Sequence, residues 1–311
     1  MSKKAIRISL ALLIGVVVLF IVAFWLTPYF LSPHIATFLA NEVENIEFAS
    51  LKLTLFKPQL ILTDVQFSSN QTLFSSKTFV AHLTYTELLR FLVGVGTLHL
   101  HLADTKLLEG DKEVTIADVA ITIKGTVLPK EFEKGVLKSL EVQAQQLSYL
   151  DSSTQGALSS DSLELGVRGE YPFSQKPFSW EKLKDFEFSL DNGEFGLPKI
   201  PGVVGLLFSS ANLAENQLFT QIRGEGEISE QQLIVKQLLI ESHLLQAQIQ
   251  ARIPLGKKAD VEVLLNISEL EESLGQSVKM IMAFMGYLMP NPPFYVDVSW
   301  DGETVPKIAF H

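Results

Sequence analysis

A period-two alternation of apolar and polar side chains recurs along most of the chain, and it constrains the fold more than any other feature. Leu51, Leu53 and Leu55 share one face of a strand, with Lys52 and Thr54 opposite. Past Lys57-Pro58, Ile61, Thr63, Val65 and Phe67 share a face against Asp64 and Gln66. Phe79, Ala81, Leu83 and Tyr85 do the same against His82 and Thr84. The spacing returns at Leu98, Leu100 and Leu102, at Val119, Ile121 and Ile123, and over 140–144, 163–167 and 186–190. Half-buried strands require it, because successive side chains point to opposite faces. Asp191-Asn192-Gly193 then reads as a turn between two strands. Further strands are expected over 222–228, 233–240, 244–253, 261–267 and 294–300. A compact sandwich would show this pattern, and so would a long curved sheet whose apolar face lines a groove.

The helical signals are few. Ser32-Pro33 sets an N-cap hydroxyl before a proline at the first helical position, opening an amphipathic helix with Ile35, Phe38, Leu39 and Val43 on one side. Thr86 caps a short helix that stops at Gly94. Residues 199–213 suit a buried helix or loop crossing, and 274–289 read as a helix with hardly any polar face, stopped by Pro290-Asn291-Pro292-Pro293.

Residues 8–26 carry no charge, and Ile8, Leu13, Val17, Phe20, Phe24 and Trp25 lie in this run. As a helix it would be about 28 Å long, close to the hydrocarbon thickness of a bilayer. Lys3, Lys4 and Arg7 precede it, which by the positive-inside rule puts the start of the chain in the cytoplasm and the rest across the membrane. A cleaved signal peptide would have a shorter apolar core and a small-x-small site, and the residues that follow make a poor one.

Formal net charge is -10, and no basic patch follows the anchor, which argues against nucleic acid and against an anionic membrane surface as the main partner of the large region. There is no cysteine, so disulfides and thiolate metal sites are excluded. No nucleophile elbow, phosphate loop, dinucleotide fingerprint or HExxH motif is present, and no cofactor is expected. His99 and His101 share a strand face but read as solvated surface histidines. Asp191, Asn192 and Glu194 are explained by the turn without calcium. Glu269, Glu271 and Glu272 read as the acidic first turn of a helix. Met280, Met282, Met285 and Met289 read as helix core, the functional alternative being an adaptable apolar surface.

Two blocks carry a family resemblance. The first is the anchor with the strand pair ending in Asp64-Val65-Gln66-Phe67, the next strand, the helical Leu88-Leu89-Arg90-Phe91-Leu92, and the strand Leu98 to Leu102. It resembles the amino-terminal module of the AsmA-like proteins of Gram-negative bacteria. The second, running from Gly224 to Ser268, resembles the AsmA-like carboxy-terminal pattern and also the type II secretion protein N family.

The resemblance implies a mainly β, non-enzymatic inner-membrane protein with its bulk in the periplasm. Its twisted antiparallel or mixed sheet would form a groove for lipid acyl chains, in lipid transport or outer-membrane assembly. The second likeness implies instead an accessory part of a type II secretion system. The expected partners are the inner membrane, phospholipid, and envelope or secretion-system proteins. The expected division is a basic tip (1–7), an anchor (8–27), an amphipathic linker (28–48), and two β modules (49–195 and 196–311). Leu53, Val65, Leu83, Leu100 and Ile121 are the residues expected on the groove side, with His82 and His99 on the opposite face.

Overall fold

The computed structural model describes residues 31–37, 45–54, 58–69, 72–92, 95–128, 131–172, 183–196, 217–229, 232–254, 261–284, 286–300 and 307–311. Residues 31–37 form α1, in which the Thr37 hydroxyl donates back to the Pro33 carbonyl. The expected anchor, with Lys3, Lys4, Arg7 and the apolar run to Trp25, lies outside the described residues, as does the expected crossing over 199–213. Among the described residues no helix is long and apolar enough to cross a membrane.

The alternation becomes one 15-stranded antiparallel sheet. Its strands are β1 (Ile46–Glu47), β2 (Ser50–Thr54), β3 (Gln59–Ser69), β4 (Thr72–His82), β5 (Val95–Glu109), β6 (Lys112–Leu128), β7 (Glu131–Asp151) and β8 (Gly156–Pro172). They continue as β9 (Leu183–Gly196), β10 (Gln217–Ser229), β11 (Gln232–Ser242), β12 (Leu245–Pro254), β13 (Val261–Leu270), β14 (Phe294–Trp300) and β15 (Lys307–Phe310). β1 and β2 lie end to end along one edge of β3, and from there each strand pairs with the next in sequence. β9 and β10, on either side of the expected module boundary, pair over the length from Asp185 to Phe195, so the sheet is continuous across it.

Among the described elements, the substantial contacts are those between paired strands and those of α2 (Tyr85–Leu92) with β5 and β6. The sheet is therefore a single open layer and not a sandwich. Tight connections enforce the meander. Gly110, at φ 58, turns β5 into β6 between the paired residues Glu109 and Lys112. Asp151 holds the β7–β8 turn by accepting from the Ser153 hydroxyl and from the backbone N–H groups of Ser153 and Thr154. The Ser153 hydroxyl is the largest cause of its lowered pKa.

A crease crosses the sheet. Asp64 (φ 49), Asp104 (φ 49), Gln146 (φ 54) and Asn192 (φ 46) are left-handed residues in the interiors of β3, β5, β7 and β9. The register steps over each of them and over Lys77, Ala117, Asp161 and Thr220 on the intervening strands, so all eight lie on one line. At this line the side-chain phase shifts by one. Leu60 and Leu62 precede it in β3 on the face that Val65 and Phe67 occupy after it. Ile61 and Thr63 thus face away from Val65, against the expectation of one uninterrupted period.

The backbone disturbance is covered by hydroxyls in a repeated arrangement. Ser76 Oγ lies 3.0 Å from the carbonyl oxygens of Thr78 and Ala103. Ser160 Oγ lies 2.7 Å from that of Ser162 and 2.8 Å from that of Asp191. Ala103 and Asp191 are the residues just before left-handed Asp104 and Asn192.

Asp191-Asn192-Gly193 is accordingly not a turn: it lies inside β9. Asparagine tolerates the left-handed conformation, and here that bends a strand instead of reversing it. Asn192→Gly should leave stability unchanged or slightly raised, and Asn192→Val should cost about 1–2 kcal/mol. Urea melts of the two variants check this, and equal losses would remove the crease as the reason for Asn192.

Candidate functional site

Residues directly paired across strands share a face, so the register gives the composition of each face row by row. One row runs Leu51, Leu62, Phe79, Leu102, Val119, Ala144, Leu163, Leu190, Ile222, Ile240, Ala247, Ile267, Phe294, from β2 to β14. Every member is apolar. The next row begins Leu53, Leu60, Ala81, Leu100, Ile121, Val142, Leu165, Phe188 and continues through Gly224 and Leu238 to Phe310 on β15. A third, from Leu98 through Ile123, Val167 and Val263 to Ile308, is also without a polar member.

The opposite face is mostly polar, although Ile61, Val80, Ala120 and Leu239 share one row there. A typical row there reads His82, His99, Thr122, Glu141, Gly166, Glu187, Glu225, Gln237. Its charges pair across strands, as Lys124 with Glu141 at 2.7 Å and Lys106 with Glu113 at 2.7 Å. The crease also separates polarity on the apolar face. The row just beyond it holds Val65, Ser76, Thr105, Ile116, Leu147, Ser160, Gly193 and Phe219.

The floor of the apolar face drops at β9 and β10. The Phe188 ring lies over Gly224, where an added Cβ would come within 2.4 Å, and the Phe186 ring lies over Gly226, at 2.5 Å. Phe219 covers Gly193 in the same way. A phenylalanine lying flat on a cross-strand glycine restores the apolar contact that glycine lacks. Gly224 and Gly226 alternate with glutamates on the strand, a spacing that only becomes meaningful once Phe186 and Phe188 are known to sit opposite.

At the far edge the face is covered. The chain after α3 (Glu272–Phe284) folds back so that Met289 packs on the cluster of Ala247, Ile267, Phe294 and Val296, and the Tyr287 ring approaches that of Phe310. This helix is shorter than the expected 274–289. It ends at Gly286, whose φ of 87 suits a glycine C-cap. Glu271 is its N-cap, with Oε2 accepting from the Leu274 N–H at 3.0 Å, while Glu269 belongs to β13 and not to the helix. Met289 is core as expected. Met280 is not: it is 66% exposed.

The groove-side residues expected from the sequence fall as follows. Leu53, Leu100 and Ile121 share one row, and Val65 is on the same face past the crease, 4% exposed. Leu83 lies just beyond β4, half-buried, its N–H donating to the Pro58 carbonyl. His82 and His99 pair with each other on the polar face.

His99 is more than a solvated histidine. Its Nε2 lies 3.0 Å from Glu87 Oε1 on α2, and its Nδ1 lies 3.1 Å from Thr122 Oγ1. Glu87 is also half of a capping box whose other half is Thr84, not the expected Thr86: the Thr84 N–H donates to Glu87 Oε2 at 2.7 Å, and the Glu87 N–H to Thr84 Oγ1 at 3.1 Å. The Thr84 N–H is the largest cause holding the Glu87 carboxyl down from 4.5 to about 2, with the Thr84 hydroxyl and His99 adding to it. A lowered carboxylate pKa stabilises the fold above the ordinary value and loses that stabilisation as pH falls through the lowered one. Hydrogen-exchange protection of α2 should therefore fall between pH 4.5 and about 2. The fall should be absent in Glu87→Gln, and an equal fall in that variant would disprove the assignment.

His101 Nε2 lies 2.8 Å from Asp118 Oδ1. Asp191 accepts from Ser162, Ser189 and Gln221. Among the described residues no cluster of His, Asp or Glu is arranged to hold a metal. Compared with models of known protein families, with curated proteins and with solved structures, the chain finds no match in any of the three.

Proposed function

We propose that this chain is a single-pass inner-membrane protein whose sheet stands in the periplasm and shelters lipid acyl chains on its apolar face. It acts without catalysis, in envelope lipid transport or outer-membrane assembly. The observation that carries the reading is the set of apolar rows running unbroken from β2 to the last strands of a single-layer sheet. Two of the rows run from β3 to β14, about 50 Å across the strands, and the third joins them at β5. At the far edge Met289, after α3, packs on this face. An acyl chain suits the remainder because the rows are continuous along the sheet and carry no hydrogen-bonding group that a lipid tail would leave unpaired.

The AsmA-like resemblance supports the same reading. Native mass spectrometry of the detergent-extracted protein tests it. Co-purified phospholipid is the expected result. Stable complexes with secretion subunits and no lipid would replace it with the type II secretion reading.

A further inference from the structure

The end of α3 and the turn after it carry apolar side chains that the sheet does not use. Leu288 is 90% exposed and Met280 is 66% exposed. Leu288 is held outward by its neighbours, since Tyr287 packs toward Phe310 and Met289 on the core cluster. From Met280 to Val296 no residue is charged. Lys279, of a residue type that favours the interface between lipid and water, precedes the tip and donates to Asn291.

The place of this tip in the topology points to its partner. β1 begins opposite Phe67, near the C-terminal end of β3, so the chain following the apolar run 8–26 enters the sheet at that end. α3 leaves from Leu270, the C-terminal end of β13, and returns at Phe294 opposite Ile267. From β3 onward the odd-numbered strands run in one direction, so the C-terminal ends of β3 and β13, and with them the entry and the α3 tip, lie on the same rim of the sheet, about 50 Å apart across the strands. A domain held only at the β1 corner could swing about its linker, and a second contact on the same rim would fix its orientation.

We infer that the Met280–Leu288 tip is a second membrane contact, dipping into the interfacial layer of the bilayer that residues 8–26 cross. It rests on the anchor reading above. The rim then faces the membrane and the apolar rows run along the membrane surface. That places the face where lipid from the same bilayer can reach it.

The absence of cysteine allows single labels in the full-length protein. Environment-sensitive fluorophores on Leu288→Cys, Met280→Cys, Thr86→Cys and Val17→Cys are read in phospholipid vesicles containing a lipid-borne quencher. Thr86 is exposed on α2, at the opposite rim. The expected result is several-fold stronger quenching at positions 288 and 280 than at 86, and strong quenching at 17. Quenching at 17 with a water-exposed label at 288 overturns this inference and leaves the anchor intact. No quenching at 17 removes the anchor reading and this inference together. A label at 288 shielded from both water and lipid assigns the tip to a protein contact and also overturns it. Leu288→Asp should leave the melting temperature unchanged while abolishing the quenching of a label at 280.

Discussion

Ala144→Asp should unfold the middle of the sheet, while Gln143→Asp and Gln145→Asp, its immediate neighbours, should leave it standing. Ala144 is 2% exposed and sits in the first apolar row between Val119 and Leu163, within a cluster that includes Leu102. A carboxylate there has no donor to meet it and must either remain charged in apolar surroundings or take up a proton at a cost. The loss should be about 4 kcal/mol, and part of it should return as pH falls, because protonation removes the charge penalty. Gln143 and Gln145 lie on the opposite face, where they pair with Glu164 and Ser162 and are exposed. Each new carboxylate faces one like charge, Glu164 or Asp118, which costs up to about 1 kcal/mol. Denaturant melts of the three variants decide it. Equal losses would mean that the two faces are not distinct.

The second large effect is at the far edge. Among the described residues Phe294 is the largest fully buried side chain, at 2% exposure, and closes the cluster of Ala247, Ile267 and Val296. Its ring centroid lies 6.0 Å from that of Phe310 on the last strand. Phe294→Ala should cost about 3–5 kcal/mol, the usual loss for deleting a buried aromatic. Because Met289 packs on the same cluster, amide protection should drop in α3 and β15 together, and protection in β3–β6 should remain. A uniform drop across the sheet would show that this edge does not open as its own unit.

The sequence disclosed the strands well where the period of two was undisturbed. Val119, Ile121 and Ile123 share a face as the alternation required, as do Phe294, Val296 and Val298. It understated their length where the crease intervenes. The alternation marks this strand only over Leu98, Leu100 and Leu102 and stops at Ala103. In fact it runs to Glu109 with Thr105 and Leu107 on the apolar face, because left-handed Asp104 shifts the phase. No local signal marks Asp64, Asp104 or Gln146 as such residues. Their conformation follows from alignment with three neighbouring strands, which is a property of the assembled sheet.

The turn expected at Asp191-Asn192-Gly193 failed for the same reason. Its residues fit a left-handed conformation, and whether that conformation reverses the chain or bends it depends on pairing with Ser160 and Phe219, far away in sequence. The face expected to carry lipid was legible at Leu53, Leu100 and Ile121, which fall in one row. What periodicity could not provide was the choice between a sandwich and an open layer, since both bury one side of every strand.

The central claim is that the apolar face holds lipid. A photo-crosslinking residue placed at Leu100, on that face, and another at His101, on the polar face beside Asp118, test it most directly in membranes carrying the full-length protein. The expected result is a phospholipid adduct at position 100 and none at 101. Adducts at both positions, or at neither, would contradict a lipid-bearing face.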